Sequence, residues 1–416
     1  MLFRARPGNR ASHSSAPRTP TQFPGTDKSE GGASMSLGNN HNSRVSRDVE
    51  VLDGGPVAVQ IPVHNGAISG IAISPDGRRL VVTNHGGDSV SIVDTRACRV
   101  AETIPGVDEP FAIALAAADR AYVSSVSPAY DAIQVVDCVA GVVVATHPVA
   151  LSVSDLAVSA DGKHVYIARN GARNADLAVL DTESGQLRVV DVATTAGTVT
   201  ECVRVSPDGD RAYVGVNGPS GGQVVVVDTG LATEETGGRT RWRRTNTKPR
   251  PKVRVNGPAV IGTIDIGLPV RDVAVSPNGA LVYVASSGPD FVAIDVVDTS
   301  ANKVTATRKI PELTGLLTRL TLSADGDRAY LVSDDSVTVL CTLTQDVVDS
   351  INVGTQPSCV VESRDGTNLY IADYSGVITV VPVGAGAAGI EQAALEANRS
   401  ADLFVPDLLR YDAALV

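Results

Sequence analysis

The tyrosines of this chain recur at nearly regular intervals, and this regularity limits the possible folds more than any other feature. Six of the nine tyrosines stand before an aliphatic residue in a similar context, with spacings of 44, 47, 70, 47 and 40 residues. Val81 occupies the equivalent position of a further unit, 41 residues upstream. Self-similarity at a period of about 20 to 50 residues is typical of repeat architectures. The six tyrosines are Tyr122, Tyr166, Tyr213, Tyr283, Tyr330 and Tyr370.

A turn of the type Ser-Pro-Asp-Gly precedes most of these positions. Proline fixes φ, Asp or Asn caps the turn and Gly adopts a positive φ, so we expect a tight hairpin at each. The second unit reads Ala116-Ala117-Ala118-Asp119 instead, so its turn should be looser or one residue shorter. The other turns are at residues 74–77, 159–162, 206–209, 276–279, 323–326 and 363–366.

Short Val-rich runs of alternating polarity flank each turn, and such runs are typical of β-strands. In the first unit they lie at residues 71–73 and 80–83, followed by a third run at 90–94 and a fourth at 100–104. Four antiparallel strands in each of seven units predict an all-β fold, a seven-bladed β-propeller of four-stranded blades. A single flat sheet containing all these strands would far exceed the usual size of a sheet.

The last unit supplies only three strands, at residues 360–362, 369–372 and 378–381, before a Gly- and Ala-rich stretch. Residues 57–63, Val-Ala-Val-Gln-Ile-Pro-Val, form an apolar strand that the first unit does not need. Pairing of this strand with the last blade would close the ring and cover an exposed sheet edge. We therefore predict that an N-terminal strand closes the propeller.

The segment Val81-Val82-Thr83-Asn84, with its Tyr-Val and Tyr-Ile counterparts downstream, resembles the YVTN β-propeller repeat family of surface-layer-like and lactonase-like bacterial proteins. The resemblance covers roughly residues 51–383. It implies the seven-bladed fold, whereas activities within that family include binding modules, lactonases and haem-carrying relatives. WD-repeat propellers are excluded because their Gly-His and Trp-Asp signatures are absent.

Composition narrows the classes of partner and cofactor. The formal net charge of −11 argues against the whole body being a nucleic-acid surface. The five cysteines include no CxxC pair, and the six histidines show no metal-ligand spacing, so we predict neither a metal nor a cofactor. No apolar run approaches the roughly 20 residues of a membrane helix. We expect a monomer whose partner is another protein or a small polar ligand.

The segments outside the repeats differ from them in composition. Residues 1–47 are rich in Ser, Gly, Asn, Pro and Arg and contain no apolar signal core, so we predict disorder there. Met35 is an alternative start to Met1. Without a signal, a cytoplasmic location is the default expectation, and export to the cell envelope is the alternative. The propeller is assigned to residues 48–386, and residues 387–416 are expected to form a helical or extended tail.

One Asp ends the third strand of most blades, often followed by Thr. This even distribution favours a structural role, because such residues form turns between side chain and backbone. Cys341 and Pro382 replace the Asp in the last two blades, where the turn should differ. The Asp residues are Asp94, Asp137, Asp181, Asp228 and Asp298.

Polar residues are also found in the loops that should converge on the channel, namely those between second and third strands and between blades. We predict that they form a site for a small polar ligand at the channel mouth, and the alternative is that they satisfy loop backbone. The candidates are Asn84, His85, Asp155, Arg169, Asn170, Asn217, Arg271, Asp272, Arg319, Asp334 and Asp373.

A basic insertion at residues 233–256 interrupts the third and fourth strands of blade four. It concentrates positive charge in an acidic protein, so it is either a solvated loop or a contact for an acidic partner or nucleic acid. Its basic residues and its tryptophan are Arg239, Arg241, Trp242, Arg243, Arg244, Lys248, Arg250, Lys252 and Arg254.

Two functions follow from these observations. We favour a non-enzymatic binding or scaffold propeller, because the regular blades carry no convergent catalytic set and the P-loop signature is absent. The alternative is a lactonase-like hydrolase with its site at the channel mouth. Three or more carboxylate or amide oxygens within metal-binding distance there would favour the hydrolase.

Overall fold

The computed structural model describes residues 59–116, 119–127, 130–230, 257–311, 313, 316–353 and 356–383. These residues form seven four-stranded antiparallel sheets, so the predicted seven-bladed propeller is confirmed. The predicted head at residues 1–47, the basic insertion at 233–256 and the tail at 387–416 lie outside the described residues. Within the described parts, no helix is long and apolar enough to cross a bilayer.

Each blade runs from its first to its fourth strand in chain order, except that blade seven takes its fourth strand from the N-terminal side. A short 3-10 helix, His85–Gly87, joins the second and third strands of blade one. Blade one comprises β2 (Ile68–Ile73), β3 (Arg79–Asn84), β4 (Ser89–Asp94) and β5 (Arg99–Pro105); blade two, β6 (Ile113–Ala116), β7 (Arg120–Val126), β8 (Asp131–Asp137) and β9 (Val142–Pro148); blade three, β10 (Ser152–Val158), β11 (His164–Asn170), β12 (Ala175–Asp181) and β13 (Leu187–Ala193).

The remaining blades continue this pattern, with the basic insertion between the third and fourth strands of blade four. Blade four comprises β14 (Val199–Val205), β15 (Arg211–Gly218), β16 (Gly221–Asp228) and β17 (Ala259–Asp265); blade five, β18 (Val270–Val275), β19 (Leu281–Ser287), β20 (Val292–Asp298) and β21 (Lys303–Ile310); blade six, β22 (Arg319–Leu322), β23 (Arg328–Val332), β24 (Ser336–Cys341) and β25 (Val347–Asn352); blade seven, β26 (Pro357–Glu362), β27 (Asn368–Asp373), β28 (Val377–Pro382) and β1 (Val59–Pro62).

The first strands surround the centre of the propeller. Each contacts the first strands of both neighbouring blades, and β26 of blade seven contacts β2 of blade one, so the ring is closed. Strand β1 pairs antiparallel with β28, with Val59 opposite Val380 and Pro62 opposite Val377. The predicted closure by an N-terminal strand is therefore confirmed, and the strand lies within the predicted residues 57–63.

The Ser-Pro-Asp-Gly turns have the geometry that their residues require. In blade one, Ser74 Oγ donates to Asp76 Oδ1 at 2.6 Å and accepts from the Arg79 N–H at 3.0 Å, and Gly77 has a φ of 69°. In blade two, Asp119 takes the left-handed conformation instead, with a φ of 56°, and Ala116 pairs directly with Arg120. The shorter second turn is thus confirmed.

The predicted Asp-Thr turns are confirmed as well, and they connect to the first set of turns. Asp94 Oδ1 accepts the N–H groups of Arg96 and Ala97 at 2.9 and 2.8 Å. Thr95 Oγ1 then donates to the Gly77 carbonyl at 2.8 Å, which ties the two turns of the blade together. The same Thr-to-Gly bond recurs in blades three, four, five and six.

The repeated tyrosines fill the spaces between blades. Tyr166 of blade three is fully buried in a cluster with Val203 and Val214 of blade four. Tyr370 of blade seven packs in the same way with Leu80 of blade one. Burial of such large side chains stabilises each contact between neighbouring blades.

Antiparallel pairing places the two kinds of connection on opposite faces. The Ser-Pro-Asp-Gly and Asp-Thr turns share one face, which we call the turn face. The loops between second and third strands share the other face with the connections between blades, and we call it the loop face. The candidate site residues belong to the loop face and to the first strands.

Candidate functional site in the central channel

A cavity of about 330 Å³ lies at the centre of the propeller and is lined by the first strands of six blades. The register position four residues before the turn serine differs from blade to blade on these strands. Three of the residues there are charged, and two are cysteines. In blade order the position holds Gly70, Ala112, Asp155, Cys202, Asp272, Arg319 and Cys359.

Arg204 joins two of these acidic residues. Its Nη1 lies 2.5 Å from Asp155 Oδ2, and its Nη2 lies 2.7 Å from Asp272 Oδ1. Both carboxylates are buried: 4% of Asp155 and 0% of Asp272 is exposed. Burial alone would lower the pKa of Arg204, but the charges of Asp272 and Asp155 outweigh it, so the pKa is raised and the guanidinium stays protonated.

The two carboxylates also connect neighbouring blades through backbone hydrogen bonds. Asp155 of blade three accepts the Val203 N–H of blade four at 3.1 Å, and Asp272 of blade five accepts the Leu320 N–H of blade six at 3.0 Å. Each Asp therefore stabilises the contact between its own first strand and the next one. A buried carboxylate with these partners is satisfied without a metal ion.

Arg319 is less completely paired than Arg204. Its Nη1 lies 3.7 Å from Asp155 Oδ1, beyond hydrogen-bond distance, and 19% of its side chain is exposed. The guanidinium lies 5.9 Å from the centre of the Phe111 ring, a cation–π arrangement at the loop-face mouth of the channel. Phe111 and Tyr374 are themselves 42% and 48% exposed.

Two of the three predicted asparagines, Asn170 and Asn217, form hydrogen bonds to the next blade, and Asn84 bonds within its own blade. Asn170 accepts the Thr200 N–H at 2.7 Å and donates to the Thr200 carbonyl at 3.1 Å. Asn217 holds Val270 of blade five in the same way, with both bonds at 2.8 Å. Asn84 donates instead to two serine hydroxyls of its own blade. The amides of Asn170 and Asn217 therefore pair with backbone groups of the next blade, as a neighbouring strand would.

The other predicted loop residues have separate local partners. Arg169 forms a two-pronged ion pair with Asp176, and Arg271 donates to Ser287 Oγ at 3.2 Å. Asp334 accepts the Leu316 N–H at 3.2 Å, Asp373 accepts N–H groups of its own loop, and His85 is exposed in the 3-10 helix. The structure therefore brings together Asp155, Asp272 and Arg319 and leaves the rest apart.

Sequence reasoning missed Arg204, although the repeat contains a signal for it. Arg204 lies two residues before the turn serine, where blades one, three and five have alanine. A long cation at a position of small residues on the innermost strand marks a side chain that reaches into the channel. The prediction covered only loops and strand entries, whereas Arg204 lies near the end of β14.

The described channel residues include neither a cluster of metal ligands nor a cysteine that is deprotonated at neutral pH. Among the residues that the structure describes, no group of three His, Cys, Asp or Glu side chains could hold a metal ion. All five thiols are free, and burial raises the pKa of Cys359 to about 11, so it is protonated at neutral pH.

Comparisons with known proteins identify the family. No family model matches the chain. A hydrazine synthase structure from Kuenenia stuttgartiensis superposes with a TM-score of 0.63 at 19% identity, covering 80% of this chain and 99% of that one, which shows a shared fold alone. The seven-bladed beta-propeller protein Rv1057 of Mycobacterium tuberculosis is 54% identical over 384 residues, or 90% of this chain and 98% of that protein. The chain therefore belongs to the family of this seven-bladed β-propeller protein.

Proposed function

We propose that the protein is a non-enzymatic binding propeller that holds a small polar ligand in its central channel. The observation that carries this proposal is the incomplete pairing of Arg319. Among the described residues its guanidinium makes no hydrogen bond, although the residue lines the cavity of about 330 Å³. A guanidinium has five N–H donors, and donors left without acceptors favour binding of a polar guest.

The rest of the channel supports binding rather than catalysis. Asp155 and Asp272 are occupied by Arg204 and by backbone N–H groups, so neither is available as a general base or a metal ligand. A cavity of this volume is at the lower end of the usual range for small-molecule sites, roughly 300 to 1,000 Å³. The cavity volume and the pairing of both carboxylates therefore support a binding role for the channel.

A variant that fills the cavity tests the proposal. Thr321 lines the cavity and occupies the register position of Arg204, so this strand position accepts a long side chain. Purified wild type, Thr321→Phe and the control Thr321→Ser are screened by thermal shift against a library of neutral, anionic and cationic metabolites. We expect at least one compound to stabilise wild type and Thr321→Ser but not Thr321→Phe. If no compound separates the variants, the proposal is wrong.

Catalysis is tested directly in the same preparation. We expect no stoichiometric tightly bound metal by elemental analysis and no hydrolysis of lactones above the buffer rate, because the channel carboxylates have other partners. One calcium or zinc ion per chain, whose removal abolishes an activity, would contradict a purely binding role.

A further inference from the structure

We infer that the ligand of the channel is a monoanionic carboxylate attached to an aromatic or apolar group, bound at the loop-face mouth by Arg319 and Phe111. This inference rests on the proposed function and specifies its ligand class. Three features of the mouth support it: an arginine whose guanidinium has no hydrogen bond within the described part of the chain, a balance of charge in its ion-pair cluster, and exposed aromatic rings on anchored backbone.

The arginine supplies the recognition group. Arg204 makes hydrogen-bonded ion pairs to two carboxylates, whereas Arg319 has one carboxylate at 3.7 Å and no hydrogen bond among the described residues. A carboxylate can accept two parallel N–H bonds from one guanidinium, and such forked pairs are stronger than neutral hydrogen bonds. An incoming carboxylate would therefore accept the hydrogen bonds from the Arg319 guanidinium that Asp155, at 3.7 Å, does not accept.

The surrounding charges select a single negative charge. Arg204 and Arg319 balance Asp155 and Asp272, so this cluster of four charged residues has no excess positive charge before a ligand binds. A guest with one negative charge gains the forked pair with Arg319, and both carboxylates of the cluster are already paired with Arg204. A phosphate dianion would add a second charge close to the same carboxylates, at a low effective dielectric.

The aromatic rings supply the apolar contact. The Phe111 carbonyl accepts the Thr83 hydroxyl at 3.2 Å, and the Tyr374 N–H donates to the Gln356 carbonyl at 3.1 Å, so both backbones are held while both rings are exposed. The Phe111 ring is the one that lies beside the Arg319 guanidinium, which is 5.9 Å from the ring centre. An exposed ring beside a cation is a favourable surface for an aromatic acid.

The experiment compares three probes of similar shape by calorimetry. Phenylacetate is the monoanion, phenylacetamide its neutral counterpart and phenyl phosphate the dianion. The proteins are wild type, Arg319→Gln, Phe111→Ala and Arg271→Gln, the last being a matched arginine that is bonded to Ser287 and does not line the cavity. We expect Arg319→Gln to weaken phenylacetate binding by about 10- to 100-fold, the usual value of a charged hydrogen-bonded pair.

The remaining outcomes are equally specific. Wild type should bind phenylacetate more tightly than phenylacetamide or phenyl phosphate, Arg271→Gln should match wild type, and Phe111→Ala should weaken both phenylacetate and phenylacetamide. Equal binding of phenylacetate to wild type and Arg319→Gln overturns the inference, as does an absence of phenylacetate binding to wild type. If the neutral probe binds wild type equally well and Thr321→Phe blocks it, the channel site stands and only the carboxylate assignment fails. Circular dichroism checks that each variant is folded.

Discussion

The repeated turns and the central channel both contain paired polar side chains, but the paired residues differ in how far apart they are along the sequence. On the turn face the repeated Thr-to-Gly bonds stay within one blade, as with Thr95 in blade one and Thr299 in blade five. In the channel the bonds join different blades, and residues at equivalent positions differ. The repeated turn residues therefore stabilise each blade, whereas the unrepeated channel residues connect neighbouring blades and give the channel its chemical character.

Removal of the closing strand should have the largest effect. Deletion of residues 1–63 removes β1 and with it the buried side chains of Ile61 and Val63, each worth roughly 2 kcal/mol of burial. It also unpairs the edge of β28. We expect the free energy of unfolding, measured in urea, to fall by at least about 4 kcal/mol. Deletion of residues 1–47 is the control, and equal melting temperatures for the two truncations would contradict the prediction.

Loss of an acidic residue in the channel should cause the second-largest decrease in the free energy of unfolding. Asp272→Ala removes one of the two carboxylate partners of Arg204 and leaves the N–H groups of Val273 and Leu320 without this acceptor. Breaking a buried pair in this way costs about 3–5 kcal/mol. Asp298→Ala on the turn face is the control, because its carboxylate also binds two N–H groups but is exposed to water. Equal losses in urea unfolding would erase the distinction between the two regions.

A turn-face hydroxyl should contribute less. Thr299→Val removes the bonds from Oγ1 to the Gly279 and Ala280 carbonyls, and such bonds contribute about 1 kcal/mol. Thr95→Val removes the equivalent bond in blade one and should cost a similar amount. A large loss in one blade with none in the other, measured by thermal unfolding, would show that the repeated turns are not equivalent.

The turn-face aspartates should make stability depend on acid pH. Hydrogen bonds from the N–H groups of Ala140 and Val139 hold the pKa of Asp137 below its ordinary value of 3.8. The folded-state pKa is the lower one, so the contribution is complete above 3.8 and is lost as the pH falls through the folded value. We expect the difference in melting temperature between wild type and Asp137→Ala to disappear at the lowest pH. A difference independent of pH would contradict this origin.

The basic insertion should have the smallest effect on stability, because it lies between β16 and β17, which pair without it. Replacement of Arg241, Arg243 and Arg244 by Ser should leave the melting temperature unchanged. If this segment binds acidic partners, the variant should elute from heparin at lower salt than wild type, since each phosphate or sulfate contact releases counterions. Equal elution, or no retention of wild type, would identify a solvated loop.

The fold could be predicted from the sequence because its signals are local. Each turn depends on four consecutive residues, and Gly77 or Asp119 adopts its positive φ whatever the distant chain does. The closing strand could also be predicted, because the last unit contains only three strands and one strand precedes the first unit. Strand ends were less accurate, since β2 begins at Ile68 rather than at residue 71.

The channel could be predicted only in part, because its contacts are between distant residues. Arg204 lies 49 residues from Asp155 and 68 from Asp272, and no local pattern joins them. Asn170 and Asn217 were predicted as ligand contacts from their polarity and position, but the structure shows each bonded to the backbone of the next blade. Polarity predicts that a side chain needs a partner and does not say whether that partner is a ligand or a strand.

The pairing of β1 with β28 also sets an order for folding during synthesis. Val59 of β1 pairs with Val380 of β28. Because these residues are far apart in the sequence, β1 leaves the ribosome long before β28 has been synthesised. Blades one to six can each form from neighbouring sequence, but the seventh is complete only when residue 382 has emerged, and contacts of such high sequence separation form slowly. Until then β1 has no partner strand, and Ile61, which is buried in the complete propeller, is exposed to solvent.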